Sequence, residues 1–307
     1  MIYKCITELI GGTPLVELVN IEKKYSLNAR ILAKIESANP AGSAKDRVAL
    51  SIIEDAEKSG RLMPGGTVIE ATSGNTGIGI CAICAARGYK AVIVMPETMS
   101  EERQKLVRAY GATLVLTDGA LGMSGAVEKA KEIHENTKNS VIASQFDNPA
   151  NPRAHYETTG PEIYSDTGGN IDIFVAGIGT GGTISGVGKY LKEQNGSIKI
   201  VGVEPETSPL ISQGYSGKHD LQGIGANFVP ANYDASVVDG VVTVSDSDAY
   251  TLGRELAGCE GILSGITSGA AVFAAIKLAR MSENEEKTIV ALLPDTGERY
   301  LSTKMFE

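Results

Sequence analysis

The sequence predicts an α/β protein with a mainly parallel sheet covered by helices. Short β-rich runs alternate with helical segments along nearly all of its 307 residues, which is the pattern of successive β-α-β units. Hydrophobic residues make up 42 % of the chain and charged residues 21 %, as in ordinary globular proteins. A chain of this length can bury a large core, as one domain or as two.

The elements follow one another in a regular order. Eight runs of β-branched and aliphatic residues are predicted strands: 29–35, 67–70, 90–95, 113–117, 172–176, 198–203, 240–244 and 288–293. Amphipathic or apolar segments are predicted helices: 48–56, 77–86, 101–110, 124–135, 184–194, 246–257 and 270–279. Residues 145–152, with two prolines and three Asx residues, are the candidate crossing between domains. Residues 205–232 are irregular and glycine-containing, which suggests a mobile flap.

Charge and hydropathy exclude several classes of partner. The net charge of −9 argues against a surface for nucleic acid or anionic membranes. No apolar run approaches the ~20 residues that a membrane span requires. The first ten residues are too polar for a signal peptide, so we expect a cytoplasmic protein with neither nucleic acid nor membrane as partner.

Four cysteines are too few for a disulfide scaffold. Cys81 and Cys84 form a C-x-x-C inside an apolar helical stretch, where a spacing of three places both on one face. A redox pair would instead lie exposed at a helix start. We therefore expect packing for this pair, and no metal site.

Lys45 occupies an unusual position for a lysine. Ser43 is a candidate N-cap, so Lys45 falls in the first turn of a helix, where a cation opposes the macrodipole by ~0.3–1 kcal/mol. A solvated lysine would tolerate that cost. The alternative is an amine whose pKa is lowered by the helix end and by burial, which suits a nucleophile or a base.

Three glycine- and hydroxyl-rich loops follow predicted strands or open predicted helices. Thr72-Ser73-Gly74-Asn75-Thr76-Gly77 supplies hydroxyls, an amide and accessible N–H groups at a helix N-terminus, which is an anion site for a carboxylate or a phosphate. An ordinary polar turn is the simpler interpretation. Gly265-Ile266-Thr267-Ser268-Gly269-Ala270 opens another helix, where its hydroxyls serve equally well as caps or as ligand contacts.

The third loop, Gly177-Ile178-Gly179-Thr180-Gly181-Gly182-Thr183, has the composition and position of a phosphate cradle. It also satisfies G-x-G-x-x-G, and Glu204 follows at the end of the next strand, so a nicotinamide-dependent dehydrogenase is a genuine alternative. A dehydrogenase leaves Lys45 and the other loops without a task. A pyridoxal-phosphate enzyme uses them all: Lys45 as Schiff base, Gly179–Thr183 for the phosphate, Thr267 for the ring nitrogen and Thr72–Gly77 for the substrate carboxylate.

The order of the motifs along the chain is specific to one enzyme family. The chain resembles the cysteine synthases (O-acetylserine sulfhydrylases) of the fold-type-II, tryptophan-synthase-like family of pyridoxal-phosphate enzymes. Nine motifs, in order along nearly the whole chain, carry the resemblance: residues 10–15, 39–47, 72–77, 96–100, 145–152, 158–162, 179–183, 223–226 and 293–300.

The resemblance implies a site and a reaction. It implies Lys45 as the Schiff-base lysine and general base, and Asn75 as the partner of the cofactor's 3′ oxygen. The substrate carboxylate is expected at Thr72, Ser73, Asn75, Thr76 and Gln145. The implied reaction is β-replacement through an α-aminoacrylate, which makes L-cysteine and acetate from O-acetyl-L-serine and sulfide.

The resemblance also implies an architecture and partners. Two α/β domains, each with a mainly parallel twisted sheet flanked by helices, are expected with the cofactor in the cleft between them. Residues 36–146 would form the smaller, mobile domain, and residues 1–35 with 147–307 the larger one. A homodimer is implied, and related enzymes dock the C-terminal tail of serine acetyltransferase in the active site.

Two departures from the family pattern leave alternatives open. Thr267 replaces the usual serine, so either its hydroxyl or that of Ser268 is expected at the ring nitrogen. Asn227 stands where a second glycine is usual, in the region that borders the active-site entrance. An amide there would suit water or a polar nucleophile in an enzyme that consumes cysteine, releasing hydrogen sulfide as a desulfhydrase or forming lanthionine or cystathionine. The simpler interpretation is a neutral change in a cysteine synthase.

Overall fold

A computed structural model describes residues 2–307 of the chain. Ten strands lie in this range: β1 Leu15–Glu17, β2 Arg30–Ile35, β3 Thr67–Ala71, β4 Lys90–Pro96, β5 Thr113–Thr117, β6 Ser140–Ile142, β7 Ile173–Gly177, β8 Lys199–Pro205, β9 Gly240–Val244 and β10 Thr288–Leu293. The same range contains eleven α-helices: α1 Val19–Tyr25, α2 Lys45–Lys58, α3 Asn75–Arg87, α4 Glu101–Ala109, α5 Gly122–Glu135, α6 Ala150–Ala154, α7 Gly160–Asp166, α8 Gly182–Gln194, α9 Leu210–Gln213, α10 Asp246–Glu255 and α11 Ile266–Ala279. Two π-helical turns are also present, His155–Thr159 and Leu256–Glu260.

The chain divides into two compact units. The small unit comprises residues up to 10 and 39–151, and the large unit comprises residues 11–38 and 152–307. Each unit has its own sheet and its own hydrophobic core. The mixed α/β architecture with mostly parallel sheets confirms the predicted fold class.

The sheet of the small unit has four parallel strands in the order β5-β4-β3-β6. Neighbouring residues of a strand point to opposite faces. Val68 and Ile93 therefore pack with α2 and α3 on one face, while Ile69 and Val94 pack with Ala126 of α5 on the other. With both faces covered, the central strands are almost continuously apolar, which is why the sequence shows them clearly.

The sheet of the large unit has six strands in the order β1-β2-β10-β7-β8-β9, and all pairs except β1–β2 are parallel. Ile173 and Val175 of β7 pack toward α10 and α11, whereas Phe174 and Ala176 pack toward α7 and α8. In both units the polar loops follow the carboxyl ends of parallel strands. That edge is where open α/β sheets bind their ligands.

A buried lysine explains two of the nine motifs. Lys34 is completely buried in the large unit, and its ammonium donates to the Thr13 carbonyl at 2.5 Å and pairs with Glu162 at 2.9 Å. The Gly12 N–H donates to the same Glu162 carboxylate at 2.9 Å. The motif at residues 10–15 is thereby tied to the motif at residues 158–162. These motifs contribute an internal ion-pair network to the large unit, because a buried ammonium needs such partners.

All eight predicted strands are present, each within two residues at either end. Only the three-residue strands β1 and β6 were not predicted. The prediction of Ser43 as N-cap was wrong. Helix α2 begins at Lys45, so Ala44 is the N-cap residue; it has helical backbone angles, and no side chain caps the helix there. Helix α11 begins four residues earlier than expected, so Thr267 and Ser268 lie inside its first turn.

Candidate active site

Lys45 lies at the start of α2 in the small unit and is half-buried. The turn before it is fixed by Asp46, whose fully buried carboxylate accepts the Ala41 N–H at 2.6 Å. Ser43 Oγ accepts the Lys45 N–H at 3.2 Å. A carboxylate in the first helical turn complements the macrodipole, so Asp46 offsets the unfavourable placement of a lysine there. The amine is thereby anchored on a well-defined helix end.

The loop at 72–77 leads into a second helix of the small unit, which packs against α2. It connects β3 to α3, and Asn75 is the first residue of that helix. The Gly74 N–H donates to Thr72 Oγ1 at 3.1 Å, which closes the turn. A Cβ on Gly79 would lie 3.1 Å from the Lys45 carbonyl oxygen, so the second turn of α3 packs directly against the first turn of α2.

Thr76 and Gln145 join this loop into a polar cluster. The Thr76 hydroxyl donates to Gln145 Oε1 at 2.5 Å, and the two side chains are only 2 % and 6 % exposed. Arg103 donates to the Ser73 carbonyl at 2.6 Å. Hydroxyls and an amide at a helix N-terminus can bind an anion such as a carboxylate. Within the small unit, the structure thus brings together the residues that the resemblance assigned to the substrate carboxylate.

Glu70 holds the Gln145 end of this cluster, and sequence analysis did not single it out. Its carboxylate accepts the Ser144 N–H at 2.8 Å and the Gln145 N–H at 3.2 Å. Burial is the main cause that raises the pKa of Glu70, to about 7. The hydrogen bonds from Gln145 and Ser144 act in the opposite direction, and the nearby Asp147 carboxylate acts in the same direction as burial. Glu70 therefore loses its proton only near neutral pH in the folded protein.

This pKa predicts a pH-dependent stability. Between the ordinary value of 4.5 and about 7 the folded state keeps a proton that the unfolded state releases, so stability falls as the pH rises through this window and is level above it. The gap corresponds to about 3 kcal/mol of unfolding free energy. Glu70→Gln removes the titrating group. The unfolding free energy of this variant, measured in urea at pH 5, 6, 7 and 8, should lack the decrease with pH that Glu70 causes.

Glu102→Gln is the matched control for Glu70→Gln, because Glu102 is exposed on α4. The control should retain the wild-type dependence of unfolding free energy on pH. If Glu70→Gln and Glu102→Gln gave the same slope between pH 5 and 7, the buried carboxylate would not be its source.

In the large unit, the loop between β7 and α8 forms a backbone cradle. Gly181 adopts a left-handed φ of +81° at the N-cap of α8, and a Cβ there would lie 2.7 Å from the Tyr233 nitrogen. A Cβ on Gly179 would collide with the Gly223 carbonyl oxygen. Only glycine fits at these two positions. The loop leads into the 13-residue helix α8, whose N-terminal N–H groups favour an anion such as phosphate.

Two threonine side chains complete the cradle. Thr180 precedes α8, and Thr183 lies in its first turn; their exposed fractions are 7 % and 9 %. Thr183 Oγ1 lies 3.1 Å from His155 Nε2. His155 is a buried residue that sequence analysis did not identify as part of the site. No local sequence pattern indicates this contact, because His155 and Thr183 are 28 positions apart in the chain.

Gly223 connects this cradle to the start of α11. Its carbonyl faces Gly179, and a Cβ on Gly223 would lie 3.3 Å from Thr267 Cγ2. The neighbouring Ser268 Oγ is completely buried and has no hydrogen-bond partner among residues 2–307. The structure of the large unit therefore places Thr267, rather than Ser268, on the side that faces the Gly223 backbone.

Asn227 lies in the same unit as this cradle. It is exposed and has a left-handed φ of +63°, a conformation that glycine adopts freely and asparagine tolerates. The Ser208 hydroxyl donates to Asn227 Oδ1 at 3.0 Å, and Gly217 N–H donates to Ser208 Oγ at 3.1 Å. Asn227 and Gly179 line one narrow cavity of about 10 Å³, the room of about one water molecule.

The C-x-x-C pair lies in the core of the small unit. Cys81 and Cys84 are each 1 % exposed, and burial raises the pKa of both thiols to about 12. They pack as apolar side chains, as predicted. Among residues 2–307, no group of three or more His, Cys, Asp or Glu side chains is arranged to hold a metal ion. Every helix of the described chain is too short or too polar to cross a bilayer.

Glycine- and hydroxyl-rich loops at helix N-termini and a lysine at a helix start are typical of one class of protein, the α/β enzymes that work with a phosphate-bearing cofactor. The family model for pyridoxal-phosphate-dependent enzymes matches residues 6–295, and the chain belongs to that family. It uses pyridoxal 5′-phosphate. The alternative of a nicotinamide-dependent dehydrogenase is thereby set aside, although its G-x-G-x-x-G motif is genuinely present.

Individual relatives confirm the resemblance drawn from the nine motifs. A cysteine synthase of Staphylococcus aureus is 51 % identical over 302 residues, which cover 98 % of this chain and 96 % of the relative. The crystal structure of cysteine synthase from Entamoeba histolytica matches with a TM-score of 0.96 at 47 % identity, over 100 % of this chain and 91 % of that one. The crystal structure of a hydrogen sulfide-producing enzyme from Fusobacterium nucleatum matches with a TM-score of 0.93 at 47 % identity, over 98 % of this chain and 100 % of that one.

The residues present fit the cofactor. The glycines at 179 and 181 leave backbone N–H groups accessible where any Cβ would fill the cradle, which suits a phosphate. The loop at 177–183 contains no lysine or arginine, so hydroxyls, backbone N–H groups and the helix terminus would bind the phosphate. In the small unit, Lys45 lies on a helix that packs against α3, and the polar cluster of Thr76 and Gln145 lies at the N-terminal end of α3.

Proposed function

We propose that this enzyme is a cysteine synthase, which converts O-acetyl-L-serine and sulfide to L-cysteine and acetate. One structural observation supports the proposal: Thr76 of the Thr72–Gly77 loop and Gln145 form a polar cluster at the N-terminus of α3, and α3 packs against the start of the Lys45 helix. That arrangement would place the carboxylate of an amino acid next to an amine that can move protons. The near full-length identity of 51 % to a cysteine synthase supports the same assignment.

We propose that pyridoxal phosphate is held by the residues that the family resemblance assigns to it. Lys45 would bind it through its amine and Asn75 would donate to its 3′ oxygen. The Gly179-Thr180-Gly181-Gly182-Thr183 loop would bind its phosphate, and Thr267 would face its ring nitrogen with a neutral hydroxyl. When bound, pyridoxal phosphate supplies an electron sink that makes the substrate α-proton acidic.

The remaining steps belong to the protein's own side chains. Thr72, Ser73, Asn75, Thr76 and Gln145 would bind the substrate carboxylate and fix the direction of the α-C–H bond. The Lys45 amine would take the α-proton as general base. Acetate then leaves the β-carbon, sulfide adds to it, and Lys45 returns the proton to the α-carbon. The β-substituent is exchanged, and the α-carbon ends as it began.

The test is product analysis with purified enzyme. O-acetyl-L-serine and sulfide should give cysteine and acetate in equal amounts, and each substrate alone should give no cysteine. Serine in place of O-acetylserine is the matched control for the leaving group, since hydroxide leaves less readily than acetate. Cofactor-loaded enzyme that forms no cysteine from O-acetylserine and sulfide would overturn the assignment.

A second candidate function rests on Asn227. Its amide lines the same cavity as Gly179 in the large unit, and one 47 % identical relative is named as a hydrogen sulfide-producing enzyme. A polar side chain near the cofactor loop would hold water or a thiol as second nucleophile. The enzyme would then take cysteine as its first substrate, release sulfide, and form lanthionine, cystathionine or a desulfhydration product.

Asn227→Gly separates the two candidates. Glycine adopts the left-handed backbone at this position without strain, so the variant should fold normally. If cysteine is the substrate, the wild type releases sulfide from cysteine alone and the variant does so several-fold more slowly. If wild-type enzyme releases no sulfide while consuming O-acetylserine rapidly, cysteine is not its first substrate and Asn227 is a neutral change.

We further propose the assembly and location that the resemblance implies. Residues 36–146 would move as the smaller domain against residues 1–35 and 147–307 when ligand binds. The enzyme would be a homodimer that binds the C-terminal tail of a serine acetyltransferase. Four free thiols suit a reducing cytoplasm. Light scattering tests the dimer, and competition between a tail peptide and O-acetylserine tests the partner.

A further inference from the structure

His155 occupies a buried position between two threonine hydroxyls in the large unit. It opens the π-helical turn His155–Thr159, and its side chain has no exposed surface. Nδ1 lies 2.9 Å from Thr159 Oγ1, and Nε2 lies 3.1 Å from Thr183 Oγ1. The imidazole therefore links the motif at 158–162 to the first turn of α8. Nothing in the proposed chemistry assigns it a role.

The packing around His155 fixes its distance from the cradle. A Cβ on Gly186 would collide with the Pro152 carbonyl oxygen and would lie 2.9 Å from both His155 Cβ and Tyr156 N. Helix α8 therefore lies directly on the chain at 152–156, with no room for a side chain between them. The Cβ of His155 is therefore held close to α8, the helix on which Thr183 lies.

The direction of the hydrogen bonds determines what Thr183 can offer a ligand. A hydroxyl has one proton to donate and can accept in addition. If His155 carries its proton on Nε2, it donates to Thr183, and the Thr183 proton is available for an anion at the α8 N-terminus. If the proton is on Nδ1, Thr183 must donate to His155 and turns a lone pair toward the anion. Only the first tautomer favours phosphate.

We propose that His155 is a positioning residue for the cofactor phosphate: it donates from Nε2 to Thr183 Oγ1 and directs the Thr183 hydroxyl proton into the cradle. The Thr159 hydroxyl completes the chain by donating to Nδ1, which sets the tautomer. This inference rests on the proposed assignment of the Gly179–Thr183 loop to the phosphate. It concerns cofactor binding, so it holds whichever amino acid the enzyme consumes.

The tautomer can be observed directly. The chain has three histidines, His134, His155 and His219, so a ¹⁵N-histidine NMR spectrum of the holoenzyme has few signals. The His155 signals are assigned by their loss in His155→Gln. We expect the proton on Nε2 of His155. A proton on Nδ1 in the holoenzyme would overturn the proposal.

Variants test the same hydrogen bond through cofactor affinity. His155→Gln places an amide N–H near the position of Nε2, whereas His155→Asn places one near Nδ1. We expect the His155→Gln variant to bind pyridoxal phosphate nearly as tightly as wild type. The His155→Asn and His155→Leu variants should bind it about 10–100-fold more weakly, which corresponds to the loss of one hydrogen bond to a charged group. Dialysis of holoenzyme followed by ³¹P NMR of the retained cofactor measures this. Equal losses for Gln and Asn would indicate packing alone and contradict the proposal.

A double-mutant cycle identifies the route of the effect. Thr183→Val removes the hydroxyl and keeps the shape, so adding His155→Leu to it should cost no further affinity if His155 acts through Thr183. Additive losses would contradict the proposal. If His155→Leu does not fold, the comparison of His155→Gln with Thr183→Val decides, because they should differ by the same factor of about 10–100. Wild-type enzyme that binds cofactor but makes no cysteine would refute the proposed function and leave this inference standing.

Discussion

Lys45→Ala is expected to abolish turnover and the yellow colour of the purified protein while leaving its fold intact. The variant removes the amine that would hold the cofactor and move the α-proton, so we expect turnover to fall by at least about 10³-fold. The turn before α2 should survive, because Asp46 and its bond to the Ala41 N–H remain. Alanine is also a good helix former. Visible absorbance, turnover and thermal unfolding together check the prediction.

Lys58→Ala is the control, since it makes the same substitution at the other end of the same helix. The Lys58 side chain is 81 % exposed, and its only ion pair in the described chain is with Glu54 at 3.7 Å. Such surface pairs contribute little to stability. Lys58→Ala should therefore keep both colour and turnover. A Lys45→Ala protein that keeps its colour and more than a tenth of its activity would show that another group supplies the amine.

The central strands were predictable because the fold buries both of their faces. The runs at 67–71 and 288–293 are continuously apolar or β-branched apart from a single charge at Glu70, and such runs need no long-range information to be recognised. The missed strands, β1 and β6, have three residues each. Strands this short exist because a neighbour supplies their hydrogen bonds: β1 pairs with β2, and β6 with β3. Three residues are too few to show the alternation of polar and apolar side chains from which a strand is predicted.

The glycine- and hydroxyl-rich loops were predictable, and the buried residues that contact them were not. Glycines and hydroxyls directly after a strand form a local signal, so the loops at 72–77 and 179–183 could be identified from composition alone. Glu70 and His155 act through partners 75 and 28 positions away. A single carboxylate or histidine looks the same in sequence whether it is buried under a binding loop or solvated. Only the three-dimensional contact distinguishes the two cases.

Gly179→Ala is expected to eliminate cofactor binding and to lower the stability of the large unit. The added Cβ would collide with the Gly223 carbonyl oxygen, which belongs to the backbone and has no rotamer by which to withdraw. Overpacking of this kind costs about 1–3 kcal/mol or more. We expect either the cradle or the chain at Gly223 to shift. Since Gly223 also borders Thr267, both cofactor contacts of this unit would be displaced together.

Gly196→Ala is the matched control, because a Cβ at Gly196 meets nothing within 4 Å. It makes the same chemical change in the same unit, beyond the far end of α8. Retained cofactor and the thermal unfolding midpoint are measured for both variants. The cradle argument requires loss of cofactor in Gly179→Ala alone. If Gly179→Ala retained cofactor as Gly196→Ala does, the phosphate would have to be bound elsewhere, and the assignment of Thr183 and His155 to it would fail as well.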